Sequence, residues 1–400
     1  MSAVSATAEA WDAIVIGGGP AGATAATELA RAGRSVLLLD RAGRIKPGGG
    51  AVPTCLLSEF AIPEQLLVAR VGRARMVSPS AREVDMPIES GFVGMVDREQ
   101  FDEWLRERAR QAGCTRADGE CESVAYDAAA AEFTVRYRAG RVAAPASVVT
   151  VRARAVVGAD GAASLVARQR IPGSGRTRFV AAYHEIVQTP ASTAADRCDV
   201  HYCGQVSPDF YGWVFPHGAT TSVGVGSARR GFSLRHATQL LRARTGLAGA
   251  PTLRREGAPI PLRPLPRWDD GAGTVLCGDA AGVVAPASGE GIYYAMYSAR
   301  LAAEAVDEFL HCGDAAVLRA VRRRFMRAHG RVFWVLGMMQ WFWYRSDARR
   351  ERFVSICRDP DVQQLTWQAY LHKKLVRARP AAHARIFFKD LAHLLGLVRA

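Results

Sequence analysis

The sequence predicts an α/β protein. A parallel, Rossmann-like sheet domain is interleaved with a mainly antiparallel sheet domain and followed by a helical, basic C-terminal region. Three observations predict it. Near the start, an apolar strand (Asp12 to Ile16), the turn Gly17-Gly-Gly-Pro-Ala-Gly22, an alanine-rich helix and a second apolar strand ending at Asp40 make one βαβ unit. Much later, Ala155 to Gly158 and Thr274 to Cys277 read as buried strands that run into Asp160-Gly161 and Gly278-Asp279. Between them, aromatic-rich alternating runs from about 178 to 227 carry the period-2 pattern of antiparallel strands.

The domains are accordingly expected at 1–75, 97–175 and 270–320 for the first unit, 76–96 and 176–269 for the second, and 321–400 for the helical tail. Within the first unit, residues 97–112 read as an amphipathic helix with Phe101, Leu105 and Ala109 on one face. Phe133 to Tyr137 and Val148 to Val151 read as a hairpin. The chain has 400 residues, 49% hydrophobic and 22% charged, which suits a globular protein with a sizeable core and excludes a disordered or disulfide-stapled one.

The eight cysteines are scattered, without a CxxC pair, and are expected to be reduced core thiols. Cys198, His201 and Cys203 fall short of the four ligands of a structural zinc site, so no metal is expected. The N-terminus lacks a basic start and an apolar stretch, so no signal peptide is expected. The longest apolar run, Val332 to Tyr344, is shorter than the roughly 20 residues of a spanning helix.

The chemistry begins at Gly17-x-Gly19-x-x-Gly22. Glycines there permit a tight turn and close backbone approach, and the helix that opens at Ala21 turns its N–H groups toward a pyrophosphate. Asp40, at the end of the second strand, is placed to accept hydrogen bonds from an adenosine ribose and would repel a 2′-phosphate. A second set of backbone amides, Ser288-Gly-Glu-Gly291, stands at a later helix start. A single nicotinamide nucleotide has no use for that distant cradle, whereas an extended FAD does.

The order GGGPAG, acidic strand end, GADG and GDAAG is similar to the flavoprotein fold of p-hydroxybenzoate hydroxylase. Within that fold the chain resembles the geranylgeranyl reductases, most closely their bacteriochlorophyll branch. The residues that carry this are Arg44-Ile-Lys-Pro-Gly-Gly-Gly-Ala-Val-Pro53, Gly91 to Asp102, Pro208-Asp-Phe-Tyr-Gly-Trp-Val-Phe-Pro216 (the family's PxxYxWxFP pattern) and Ser288-Gly-Glu-Gly-Ile292.

The resemblance implies FAD held by Gly17, Gly19, Ala21, Gly22, Asp40, Arg41, Gly49, Gly50, Arg98, Asp160 and Asp279, with Gly289, Gly291 and Ile292 beside the isoalloxazine. It implies NADPH as a transient hydride donor. The implied substrate is geranylgeranylated bacteriochlorophyll or geranylgeranyl diphosphate, bound by Tyr211, Trp213, Phe215 and Pro216. Tyr211, Trp213 and Glu290 are the implied catalytic residues. One departure stands out: the family commonly has Cys where this chain has Gly48, so no mechanism here uses a thiol at 48. The rivals on the same fold are a flavin monooxygenase, a halogenase (which tends to carry WxWxIP) and an isoprenoid-lipid reductase. A flavin-bearing pigment carrier is the non-enzymatic alternative.

The net charge of +14 is concentrated: residues 321–400 hold 17 Lys and Arg against 5 Asp and Glu, so 17 − 5 = +12 lies there. Arg322, Arg323, Arg324, Arg327 and Arg331 precede the apolar run, and Arg345, Arg349, Arg350 and Arg352 follow it. Residues 385–397 alternate cationic and apolar side chains at roughly helical spacing. This pattern predicts peripheral contact with an anionic membrane through 321–400 and no nucleic-acid partner, and the resemblance implies a bacterial cytoplasmic protein.

Overall fold

A computed structural model describes residues 10–373 apart from 42, 44, 46, 47, 141–146 and 192. Part of the Arg44–Pro53 motif and the whole 385–397 segment lie outside the described residues.

β1 (Ala10–Ile16) and β2 (Val36–Asp40) are short aliphatic runs that pair in parallel, Ala13 with Val36 and Ile16 with Leu39. Between them α1 (Pro20–Arg31) begins on a proline, whose missing N–H costs nothing at a helix start. β3 (Ala51–Pro53), α2 (Thr54–Glu59), β4 (Leu67–Val71), β5 (Arg73–Val77), β6 (Glu83–Pro87) and β7 (Val93–Val96) follow. β3, β7 and β4 form a small antiparallel sheet, whereas β5 and β6 belong to the large second sheet.

α3 (Arg98–Gln111) is capped by Asp97, whose carboxylate accepts the N–H groups of Glu99 and Gln100. It buries Phe101, Leu105 and Ala109, as its spacing predicts. β8 (Thr115–Asp127), β9 (Glu132–Ala139) and β10 (Ser147–Gly158) make an antiparallel meander. The start of β8 pairs with β2, and the end of β10 pairs with β1. Both ends thereby join the parallel sheet.

α4 (Leu165–Arg170) leads into β11 (Phe179–Gln188), β12 (Arg197–His201), β13 (Gly212–His217), β14 (Thr220–Ser227), α5 (Leu234–Arg244) and β15 (Thr252–Pro261). The second sheet runs β15-β11-β14-β13-β12-β5-β6, antiparallel throughout except for β12 beside β5. β16 (Thr274–Leu276) then returns to the first sheet alongside β10. α6 (Ile292–Cys312) packs on α1 over that sheet and ends at Gly313, whose φ of 75° stops the helix.

α7 (Arg319–Trp343), α8 (Asp347–Ile356) and α9 (Pro360–His372) complete the described chain. Trp343, Tyr344, Val354, Ile356 and Cys357 pack in one cluster with Tyr211, Trp213, Val84 and Met86 of the second sheet and its loop. One expectation is corrected here. Arg350 is only 2% exposed and does not flank the apolar run as a solvent cation. Its guanidinium donates to Asp347 at 2.5 Å and to the carbonyls of Pro208 and Tyr344. It is a core staple between the C-terminal helices and the turn that precedes Tyr211. Arg322 is half-buried and donates to the Leu265 carbonyl at 2.9 Å, whereas Arg324 stays on the surface and pairs there with Glu304 at 2.6 Å.

Candidate active site

A continuous cavity of about 740 Å³ runs from the first glycine turn to the C-terminal helices, and its two ends differ in chemistry. At the nucleotide end it is lined by Gly17, Gly19, Ala21, Asp40, Arg41, Arg98, Asp160 and Asp279. The parallel sheet places them there, because β1, β2, β10 and β16 all end on this side.

The glycines are sterically required. A Cβ on Gly22 would lie 1.7 Å from the Gly17 carbonyl oxygen, and one on Gly18 would lie 2.7 Å from the Asp40 carboxylate. Gly17 itself has φ of +103° and no room against the Ala159 backbone. Gly22 does not line the cavity; its part is to let α1 approach the turn. The bare backbone and the carboxylate behind it fit the pyrophosphate and ribose of a dinucleotide. Asp40 also meets Arg106 at 3.5 Å, which holds it in place.

Two residues at this end are tied down by neighbours. Arg98 forms a two-pronged pair with Asp102 at 3.1 and 2.9 Å, and the nearby Asp102 and Asp279 charges outweigh burial to hold its pKa above the ordinary value. The Asp160 carboxylate caps α4, accepting from Ser164 Oγ at 2.5 Å and from the Leu165 and Val166 N–H groups. Burial still raises its pKa. Its carboxylate is thus committed to the fold, although the residue borders the cavity. A Cβ on Gly48 would sit 2.5 Å from Arg98 Nη1, so the departure at 48 leaves room for this arginine.

At the other end the floor is one face of the second sheet. A single transverse row crosses all its strands: Glu256, His184, Gly224, Trp213, Val200, Met76 and Val84 are register partners in turn. His184, Trp213, Val200 and Met76 line the cavity, together with Ala182, Phe215, Cys198 and Ala74 at alternate positions of the same strands. Gly224 lets the rings converge, since a Cβ there would fall 2.4 Å from His184 Cβ and 2.5 Å from Trp213 Cζ2. Pro216 is buried but points away from the cavity, as the residue after an inward Phe215 must.

Hydrogen bonds fix these rings. Trp213 Nε1 donates to Ser222 Oγ at 3.1 Å, and that oxygen lies 3.0 Å from His184 Nδ1. His184 Nε2 stands 2.9 Å from Glu256, whose carboxyl is held below its ordinary range by His184 and Arg254 against the opposing effect of burial. Tyr211 donates its hydroxyl to the Ser288 carbonyl at 2.5 Å, and burial pushes the phenol well above its ordinary pKa. Tyr211 therefore offers a ring and no mobile proton. From the roof, Leu336, Met339, Tyr344, Phe353, Trp367 and Tyr370 close the chamber.

The Ser288–Ile292 turn separates the two ends, with Gly289, Glu290, Gly291 and Ile292 all on the cavity. Glu290 Oε1 accepts the Tyr293 N–H at 2.9 Å, which anchors the turn on the first residues of α6.

Sequence reasoning missed His184, Tyr202, Trp367, Tyr370 and Lys373. The alternating glycines Gly224 and Gly226 were the available signal for the floor. The aromatics of α9 were submerged in the basic tail. Burial raises the Cys55 thiol to about 11, so it is no thiolate, and Cys198 is raised further still. Among the described residues no His, Cys, Asp and Glu cluster is arranged to hold a metal ion.

A glycine-backed dinucleotide cradle opening into an apolar chamber defines an FAD-dependent oxidoreductase. Residues 11–195 match the family described as pyridine nucleotide-disulphide oxidoreductase. The fold is that of a crystal structure titled geranylgeranyl bacteriochlorophyll reductase-like, from Thermoplasma acidophilum. That structure has a TM-score of 0.79 and 21% identity, with 94% of this chain and 99% of that one covered.

More specifically, the chain belongs to the geranylgeranyl diphosphate reductase family. It is 53% identical to the geranylgeranyl diphosphate reductase of Rhodobacter capsulatus over 97% of this chain and 98% of that protein. It is 36% identical to the chloroplastic enzyme of that name from Oryza sativa subsp. japonica, over 95% of this chain and 85% of that one.

Proposed function

We propose that the protein reduces the isolated double bonds of a geranylgeranyl chain to phytyl, with NADPH as electron source. The chain would be carried by bacteriochlorophyll or by the free diphosphate. The observation that carries this reading is the 53% identity with a geranylgeranyl diphosphate reductase along nearly the whole chain. The apolar, aromatic half of the chamber supports it, because a prenyl chain offers no polar group to match.

FAD is assigned to Gly17, Gly19, Ala21, Asp40, Arg41, Gly49, Gly50, Arg98, Asp160 and Asp279, and to the Gly289, Gly291 and Ile292 backbone, with Gly22 serving through the close helix approach it permits. When bound it supplies hydride to an alkene carbon. An isolated alkene accepts hydride poorly unless positive charge develops on the receiving carbon. The faces of Tyr211 and Trp213, in edge contact at 6.0 Å between centroids, are suited to such charge. Phe215 extends the same wall toward Gly49, 3.4 Å from a Cβ built there. The burial of Trp213 and Tyr211 (6% and 7% exposed) keeps water from the reacting carbons. Glu290 is assigned to the reaction side through its place in the turn.

We place the proposed membrane contact on one face of α7. At 100° per residue, Arg323, Arg327, Arg331, Trp334, Met338 and Trp341 fall on one stripe of α7. Trp334, Met338 and Trp341 are 69%, 46% and 65% exposed, an unusual display for large apolar side chains. Leu336 and Met339, on the opposite side, line the chamber. We assign this stripe to peripheral contact with anionic lipid, the phase in which a prenylated substrate dissolves. Among the described residues no helix is long and apolar enough to cross a membrane.

Anaerobic incubation of the holoenzyme with NADPH and geranylgeranyl bacteriochlorophyll, or the diphosphate, tests the function by mass spectrometry. Stepwise gains of two hydrogens per double bond are expected without oxygen. An unchanged chain, or turnover only with oxygen, would sink the assignment. Binding to anionic vesicles that is lost in the Trp334→Ala/Trp341→Ala variant tests the surface; no binding by the native protein would refute it.

A further inference from the structure

One buried charge pair stands in the chamber wall, and only its acid, Glu290, entered the reading above. Lys373 follows α9 and is 2% exposed, with a left-handed backbone (φ 56°) that is costly for a residue bearing a Cβ. Its Nζ lies 2.9 Å from Glu290 Oε2, and both side chains are 3% exposed. Three tyrosine rings surround the ammonium, with centroids 4.2 Å (Tyr370), 5.3 Å (Tyr294) and 5.6 Å (Tyr293) away. The fold therefore spends backbone strain and three aromatic faces on bringing one cation to one carboxylate.

That carboxylate belongs to the turn that divides the nucleotide end from the aromatic end. The charges of the pair reach across the wall. The half-buried Cys55 thiol is drawn down by Lys373 and pushed up by Glu290 and Glu59, in addition to the larger effect of its partial burial. Without Lys373, Glu290 would present an uncompensated anion in a low-dielectric wall, where a charge acts strongly over several ångströms.

We propose that Lys373 is a positioning residue that neutralises Glu290 and so sets the charge the Ser288–Gly291 turn presents to the bound flavin. The inference rests on the functional reading above, with the flavin ring against this turn. Two-electron reduction places negative charge on a flavin, and charge near its ring tunes its electronics. A paired, near-neutral turn leaves the ring easy to reduce by NADPH. An unpaired Glu290 opposes reduction, and an unpaired Lys373 favours it.

The test is the midpoint potential of the flavin in purified holoenzyme, measured by anaerobic dye titration for native protein, Lys373→Met, Glu290→Gln and the double variant. Expected are a more negative potential for Lys373→Met, a more positive one for Glu290→Gln, and a return toward the native value in the double variant. Bound flavin with the same potential in all of them overturns the proposal and reduces the pair to a structural tie. If Lys373→Met loses its flavin through misfolding, Glu290→Gln and the double variant decide the matter, and an unchanged potential in both overturns it. Native protein that binds flavin but never passes electrons to the prenyl chain refutes the functional reading and leaves the potentials to judge Lys373. Native protein without flavin overturns both.

Discussion

The two ends of the chamber are built on opposite principles. The nucleotide end is made by subtraction: Gly17, Gly18 and Gly22 remove side chains so that backbone and the Asp40 carboxylate can approach a ligand. The aromatic end is made by addition, with Trp213, Phe215 and Tyr211 stacked on a sheet floor and roofed by α7, α8 and α9. A cradle made of backbone tolerates no added atom. A wall made of large side chains tolerates reshaping and loses specificity before it loses its fold. The two ends should therefore fail differently.

The largest effect is expected at the cradle. Gly22→Val places carbon atoms where the Gly17 carbonyl stands, and the product should purify without flavin absorbance at any ligand concentration used. Retention of a full complement of flavin would show that α1 can retreat, and the cradle argument would fail.

Next comes Arg350→Met, which strips donors from the buried Tyr344 carbonyl, the half-buried Pro208 carbonyl and Asp347. A loss of about 2–4 kcal/mol is expected in thermal or denaturant unfolding. The aromatic end should loosen before the nucleotide end, visible as faster proteolysis after α6 with flavin still bound. Equal loosening of both ends would contradict the division.

Trp213→Ala should keep its flavin and lower kcat/KM for the prenyl substrate by about tenfold to a hundredfold, roughly the value of one well-placed aromatic contact and its packing. The rate of flavin reduction by NADPH should stay within error. Asp40→Asn is the mildest, because one acceptor oxygen remains. Flavin affinity should fall by about tenfold or less, with unchanged turnover at saturating FAD.

The same contrast explains what was legible in the sequence. The cradle is local: one βαβ unit within the first forty or so residues carries its glycines and its acid, so order and spacing suffice. Asp160 and Asp279 were readable because each follows an apolar strand end, and the Ser288–Ile292 turn because it stands at a helix start. The aromatic floor is assembled by register between strands far apart in sequence, and His184 faces Trp213 only because Gly224 lies between them. No pattern in the chain announces such a row. The C-terminal aromatics misled in a different way. Trp334 and Trp341 are exposed, but Trp343, Tyr344 and Arg350, a few residues on, are core. A charge count cannot tell a solvated arginine from one holding three acceptors.

The measurement that bears most directly on a single chamber with two ends is anaerobic rapid mixing of pre-reduced holoenzyme with geranylgeranyl substrate, for native protein and Trp213→Ala. The account predicts oxygen-independent reoxidation of the flavin in the native protein. In Trp213→Ala this step alone should slow, while reduction by NADPH proceeds at the native rate. Reoxidation that needs oxygen, or a Trp213→Ala variant slowed equally in both steps, would contradict it.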